Sequence, residues 1–264
     1  MFFTLSSWQL ALVLAGILVG ATILGLVVGR ALRQHSDTLR EPVGVVQGAL
    51  LTLVGLILAF GLAMAVTRYE ARRAAVVDDA NAIGTAYLRA QTLAEPVRSE
   101  ALPLYVRYTD ASLRLSHSIP GSTAAKSAIA SESAVQRRLW RLAGDALGSQ
   151  PTQSAPRLYV ESLNDMIDMQ TTRVSALNNR VPSTILSIQV LGAATALFLL
   201  ALYLAVLSRG VVTVLLAAGL LALLLFVTFD LDRPTRGLIT IPDAPLVQLR
   251  ASMELPPAAN ASNP

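Results

Sequence analysis

From Val43 to Val66 the chain runs for 24 residues without a charge, then empties directly into Arg68-Tyr69-Glu70-Ala71-Arg72-Arg73. A helix of about 20 apolar residues crosses roughly 30 Å of hydrocarbon, and a somewhat longer one crosses with tilt. No proline or glycine pair ends the run, and beyond it the helical beat persists. Tyr69, Val76, Ile83 and Ala90 recur every seven positions, with Arg73, Ala80 and Tyr87 between them. One helix is therefore expected to leave the membrane and continue as a long soluble helix. That arrangement suits a pore-lining or signal-carrying element better than a simple anchor.

Three further windows lack charges and match this one in length: Trp8 to Gly29, Val181 to Leu207, and Gly210 to Phe229. A hydrophobic content of 53% agrees with a multi-pass membrane protein. The first window is too long in its apolar core for a secretory signal, and no basic residue precedes it, so it reads as a true span. The spans form two hairpins, which sets the expected organisation. Residues 1–66 hold the first hairpin (spans 8–29 and 43–66), residues 67–180 a soluble region, residues 181–229 the second hairpin (spans 181–207 and 210–229), and residues 230–264 a tail with a short helix.

The soluble region reads as helical throughout. Val97, Ala101, Leu104, Tyr108, Ala111 and Leu115 share one helical face, with Pro103 inside the pattern as a kink or a delayed start. His117 to Thr123 is a turn. Ser133 with Gln136 suggests a capping box for a short helix carrying Leu139, Leu142 and Ala146. After a break at 148–156, Val160, Leu163, Ile167, Gln170, Val174 and Leu177 run in register toward the third span, as if a second long helix entered the membrane past Pro182. No strand pattern is present. The fold class is all-α: four transmembrane helices with a helical soluble layer between spans 2 and 3. So small a soluble layer has a thin core, which favours self-association.

The formal net charge of +4 does not point to nucleic acid. Of 21 basic residues only Lys126 is a lysine, a bias of GC-rich bacterial coding, and the arginines gather near span ends rather than in a stripe interleaved with aromatics. The absence of cysteine excludes disulfides and thiolate metal sites. His35 and His117 have no ligand-spaced neighbour, so no metal or other cofactor is expected. No phosphate-binding glycine loop or nucleophile arrangement suggests an enzyme. No charged residue lies inside a span, which argues against a proton-coupled pump with intramembrane carboxylates. Asn260-Ala261-Ser262 matches a glycosylation sequon by chance.

At the second span's exit, Arg68-Tyr69-Glu70-Ala71-Arg72-Arg73 is followed by Asp79 and Ala80-Asn81-Ala82-Ile83-Gly84-Thr85-Ala86-Tyr87-Leu88-Arg89. Near the C-terminus stands Phe229-Asp230-Leu231-Asp232-Arg233-Pro234 with Gly237. In these residues and in the order of its spans, the chain resembles the bestrophin-like bacterial membrane proteins, themselves distantly similar to bestrophin ion channels. The resemblance implies an oligomeric channel that conducts small inorganic ions passively, five subunits around an axial pore, and a second span lining a narrow neck. The matching stretch holds Leu56, Phe60 and Met64, one turn apart. The acidic calcium-binding cluster and tandem aromatics of the animal channels are not recognisable here.

Each candidate has a plainer alternative. Leu56, Phe60 and Met64 suit a constriction that resists wetting, but also ordinary packing or lipid contact. Gly44, Gly48, Gly55 and Gly61 permit close helix approach in either case. Arg68, Glu70, Arg72 and Arg73 suit a charged vestibule or a structural junction, and Asn81 and Thr85 suit bridges to another helix. Glu161, Asp165 and Asp168 form an acidic stripe, either cation-attracting or simply solvated. The partners expected are the lipid bilayer, further copies of the chain and small ions. The competing function is a non-conducting membrane scaffold or sensor whose helical layer binds a partner.

Four spans place both termini and the soluble region on one side of a bacterial inner membrane. Near the span ends that side carries seven basic residues (Arg68, Arg72, Arg73, Arg173, Arg180, Arg233 and Arg236), against four opposite (Arg30, Arg33, Arg40 and Arg209). Alone, the first span argues the reverse, having arginines only after it. The larger count and the resemblance place the soluble region in the cytoplasm. A reporter fused after Pro264 is expected to be active only in its cytoplasmic form; activity of a periplasmic reporter there would reverse the orientation.

Overall fold

The first apolar window becomes a helix through a reciprocal cap. In the computed structural model, Ser6 Oγ accepts from the Gln9 backbone N–H (3.2 Å) and the Gln9 side chain accepts from the Ser6 N–H (2.9 Å), opening α1 (Ser7–Ala31). The structure describes residues 6–207 and 210–257, with only the backbone described at 34–42 and 211. The side chains of His35 and Arg40, together with Arg209 and the Asn260 sequon, lie outside what it describes.

A short 3-10 turn, Leu32–His35, leads into α2 (Ser36–Ala90), 55 residues without interruption. There follow α3 (Val97–His117), α4 (Thr123–Ser149), α5 (Ser154–Asn178), α6 (Ser183–Val206), α7 (Val211–Leu231) and α8 (Ala244–Ser252). No strand occurs among the described residues. The chain divides into two compact units, Met1–Arg68 with Arg180–Ile239, and Tyr69–Asn179 with Thr240–Pro264.

The first unit holds the four long apolar helices, α1, the first part of α2, α6 and α7. α6 meets α7 and, through Gln189, α2, and α1 packs along it. Two glycines set this contact. A Cβ on Gly25 would stand 2.9 Å from Ala201 Cβ, and one on Gly29 would stand 2.7 Å from Ala205 Cβ. Small residues four apart let two backbones meet in hydrocarbon, where packing rather than water exclusion holds helices together. Of the glycines expected to serve this purpose in α2, Gly48 and Gly55 face open space, whereas Gly44 lies against the Tyr203 ring and Gly61 against Gln189.

The second unit is a bundle of the remaining part of α2 with α3, α4, α5 and α8. Val76, Ala80, Ile83, Tyr87 and Ala90 of α2 form one wall of its core, facing Leu104, Tyr105, Tyr108, Leu139, Leu163 and Met166. Pro103 falls within the first turns of α3, and the helix runs through it.

Three sequence-based expectations are corrected. The helix expected to begin at Ser133 begins at Thr123: Ser122 is the cap, accepting from the Ala125 N–H at 3.2 Å, and Ser133 and Gln136 lie mid-helix. The second long helix is two helices. α5 stops at Asn178 and α6 starts at Ser183, because Pro182 has no N–H to donate and disfavours helical backbone at Val181, whose own N–H donates to Asp232 Oδ1 at 3.0 Å. The buried face of α5 is also rotated, to Tyr159, Ser162, Leu163, Met166, Gln170, Arg173 and Leu177, which leaves Val160, Ile167 and Val174 only half-buried.

As far as it is described, the segment after α7 is anchored. Asp230 accepts from the backbone N–H groups of Leu238 and Ile239, both at 2.9 Å, and folds the chain back on the first unit. Gly237 is required there, since a Cβ would stand 2.8 Å from Asp230 O. Beyond it α8 completes the second core, with Leu246 fully buried and Met253 nearly so. Leu246→Ala is expected to cost roughly 2–5 kcal/mol, the range for a buried leucine. Thermal unfolding of the detergent-extracted protein measures it; an unchanged midpoint would show that α8 is dispensable to the core.

Candidate functional site

In α2 the helical register separates two faces. Val54, Leu58, Gly61 and Ala65 turn inward, while Leu53, Leu56 and Phe60 are 52%, 53% and 64% exposed and Met64 is half-buried. The rotation of the helix is held by α6. Gln189, fully buried, donates from Nε2 to the Ile57 carbonyl at 3.1 Å, a contact that only a glycine at position 61 leaves room for. An amide in hydrocarbon has no water to fall back on, so this bond fixes the face that α2 presents. Gln189 was not singled out from sequence. A lone glutamine among apolar residues was the available signal.

The charged residues after the span separate by role. Arg72 is 1% exposed and donates from Nε to the Ala176 carbonyl (3.3 Å) and from Nη2 to the Asn179 carbonyl (2.7 Å), capping the C-terminal end of α5. A cation at that end also meets the negative pole of the helix dipole. Glu70 and Arg73 pair at 3.7 Å with more than half of each side chain exposed, a contact worth little in water. Arg68 is half-buried, and Asn81 and Thr85 are exposed on one face of α2.

Glu161, Asp165 and Asp168 lie on the outward face of α5. Glu161 stands 3.6 Å from Arg89 Nη1, and Asp168 accepts from Asn164 Nδ2 at 3.2 Å. Among the described residues no group of acidic and histidine side chains converges on a metal-sized space.

A further polar constellation lies inside the second unit. Arg173 of α5 donates from Nη1 to Asp79 Oδ2 of α2 at 2.7 Å, also reaches Ser112 Oγ, and donates from Nη2 to the Ser112 carbonyl (3.1 Å) and Ser116 Oγ (2.6 Å). Ser112 Oγ in turn donates to Asp79 Oδ2 at 3.0 Å. Beside them lies Glu132 of α4, fully buried, whose Oε2 accepts from Gln170 Nε2 at 2.9 Å. Gln136 donates to Tyr108 Oη at 3.1 Å, and Tyr105 to Tyr159 Oη at 3.3 Å. Burial raises the Asp79 carboxyl above its ordinary value, with Arg173 pulling the other way. Burial likewise pushes Glu132 up to about 7, partly offset by the Gln170 hydrogen bond. The Tyr105 and Tyr108 phenols are also raised by burial, and Tyr159 is pushed up to about 12. Sequence reasoning marked Asp79 only as part of a motif and Arg173 only as a charge near a span. Starting α4 at Ser122 would have put Glu132 and Gln136 on the same face as Leu139, polar groups where apolar ones belong.

The profile of the Bestrophin-like domain matches residues 13–246. The crystal structure of a mutant bacterial bestrophin homologue from Klebsiella pneumoniae is similar in fold, with a TM-score of 0.67 at 11% identity over 89% of this chain and 97% of the other. Another structure of a bestrophin homologue from that organism gives a TM-score of 0.63 at 11% identity, over 89% and 95% of the two chains. A third, described as a membrane protein, gives 0.66 at 12% identity, over 89% and 97%. No curated protein matches.

Removing one partner of a buried ion pair leaves the other uncompensated. Arg173→Met is therefore expected to destabilise the protein by roughly 3–5 kcal/mol, whereas Asp165→Asn on the solvated face should stay within about 0.5 kcal/mol. Denaturation of the two variants in detergent compares them; equal effects would show that the pair does not organise the bundle.

Proposed function

The chain belongs to the Bestrophin-like family, one associated with ion channels rather than enzymes, and on that premise we propose that it is an oligomeric channel through which small ions pass passively along a pore lined by α2. The observation that carries this reading is the face of α2 bearing Leu53, Leu56 and Phe60. These side chains are left uncovered by their own chain, although Gln189 fixes the rotation of the helix. In a ring of subunits, possession of one such face by every copy brings Leu56, Phe60 and Met64 together at the symmetry axis. A narrow collar of apolar side chains excludes water and resists ions until it widens. Five copies is the stoichiometry proposed, in a bacterial inner membrane with the second unit in the cytoplasm. The proposal assigns Arg68, Glu70, Arg73, Asn81 and Thr85 to the wetted surface beyond the neck, and Glu161, Asp165 and Asp168 to a face that raises local cation concentration.

Phe60→Ala shortens the side chain that projects furthest from the helix. A barrier lowered by about 1.4 kcal/mol passes ions about tenfold faster, and a gain of that order is expected in vesicles reconstituted at a fixed protein-to-lipid ratio. Ala59→Ser, about 100° around the helix by its 3.6-residue turn, should change flux far less. Silence of both the wild type and Phe60→Ala, in correctly assembled protein, would favour the non-conducting scaffold.

A further inference from the structure

The polar core of the second unit carries more negative charge than positive. Asp79 and Glu132 are both fully buried and face a single guanidinium, Arg173. Every element packed against Glu132 contributes to its surroundings: Asp79 from α2, Tyr108 and Ser112 from α3, Gln136 from its own helix, and Gln170 and Arg173 from α5. Of these only Arg173 is cationic, and its Nη1 is bonded to Asp79 rather than to Glu132. Glu132 is met by a neutral amide and faced by a serine hydroxyl already donated to Asp79. Its second oxygen, Oε1, is buried and accepts no hydrogen bond from the chain. An ionised carboxylate in that position keeps an unmatched charge and an unfilled acceptor, each costly away from water. One proton removes both defects: it neutralises the surplus charge and turns Oε1 into a donor beside the Asp79–Ser112 pair.

We propose that Glu132, enclosed by Asp79, Ser112, Gln170 and Arg173, is a buried binding site for a single proton, held in mildly acidic conditions and released in alkaline ones with loosening of α4. The direction follows from linkage. The folded chain keeps this proton up to about pH 7, whereas an exposed glutamate loses it near 4.5. Between those values the folded state binds more protons than the unfolded one, so stability declines as pH rises through the interval and the loss is complete above it. A tenfold change per unit makes the loss roughly three-hundredfold in the folding equilibrium.

The test uses the full-length protein in detergent at about pH 5.5 and about pH 8.5, below and above the value near which the folded carboxyl titrates. Thermal midpoint and amide hydrogen exchange of residues 123–149 are both read. The wild type should melt lower and exchange faster in α4 at the alkaline pH. Glu132→Gln, which keeps the shape but cannot ionise, should lose most of that difference and hold its α4 protection at both values. A variant that responds to pH as the wild type does would overturn the proposal, as would a wild type insensitive to pH. Should Glu132→Gln fail to fold, infrared spectroscopy of the wild type decides. A protonated-carboxyl band that disappears with a midpoint near 7 supports the site, and absence of such a band at about pH 5.5 overturns it.

Discussion

A helix in hydrocarbon must satisfy its own backbone, so α2 offers the membrane nothing but side chains, and the question of function becomes which side chains face which way. The answer rests on α6. Gln189 donates into the Ile57 carbonyl, Gly61 yields the space for it, and Val54 lies against Gly192 in the same contact. With that face turned inward, Leu53, Leu56 and Phe60 are turned outward. The proposed pore depends on this rotational setting, and a helix free to roll about its axis would not define a collar.

The second unit solves a different problem. Its helices are short of apolar surface for so small a core, and it supplements that core with polar groups that bond in specific directions. Arg72 binds the terminal carbonyls of α5, and Arg173 ties α5 to α2 and α3 through Asp79, Ser112 and Ser116. Hydrophobic contacts tolerate sliding, whereas a guanidinium with several fixed acceptors does not. The Glu132 proton site lies beside this network. Stability there is set by how many charges the core must hold, so a change of one proton affects the packing of four helices.

The apolar windows and the long extension of α2 were legible because they depend on composition and period alone. The resemblance to the bestrophin-like proteins was carried by the residues around 68–73 and 229–234 together with the order of the spans. The inward faces of α2 and α3 were legible too, since Ile83, Tyr87, Leu104 and Tyr108 repeat at helical spacing. What escaped depends on partners remote in sequence. Asn178 ends α5 and Val181 donates to Asp232, 51 residues on, so the break before the third span has no local signature beyond Pro182. Starting a helix at Ser133 left Glu132 outside it, so its place on the buried face of α4 could not be read. Gly25 and Gly29 are ordinary span glycines until α6 is laid against them. The face carrying Phe60 could be named from its period, but only the bond from Gln189 shows that it is turned away from the chain.

That position 60 faces a pore is the central claim. A cysteine there is smaller than the ring it replaces and lets water into the collar, and the absence of native cysteine makes its accessibility directly measurable. Single cysteines at Leu56, Phe60 and Met64 are to be compared with Leu58→Cys, on the buried face, and Leu220→Cys, on an exposed face of α7. A thiol in lipid or in a packed interface stays protonated and unreactive toward a charged, membrane-impermeant thiol reagent, whereas one in water ionises and reacts. The account predicts modification at positions 56, 60 and 64, with altered ion flux, and none at 58 or 220. If the cysteine at position 60 proves as unreactive as the one at 220, this face of α2 lies in lipid or protein and lines no pore.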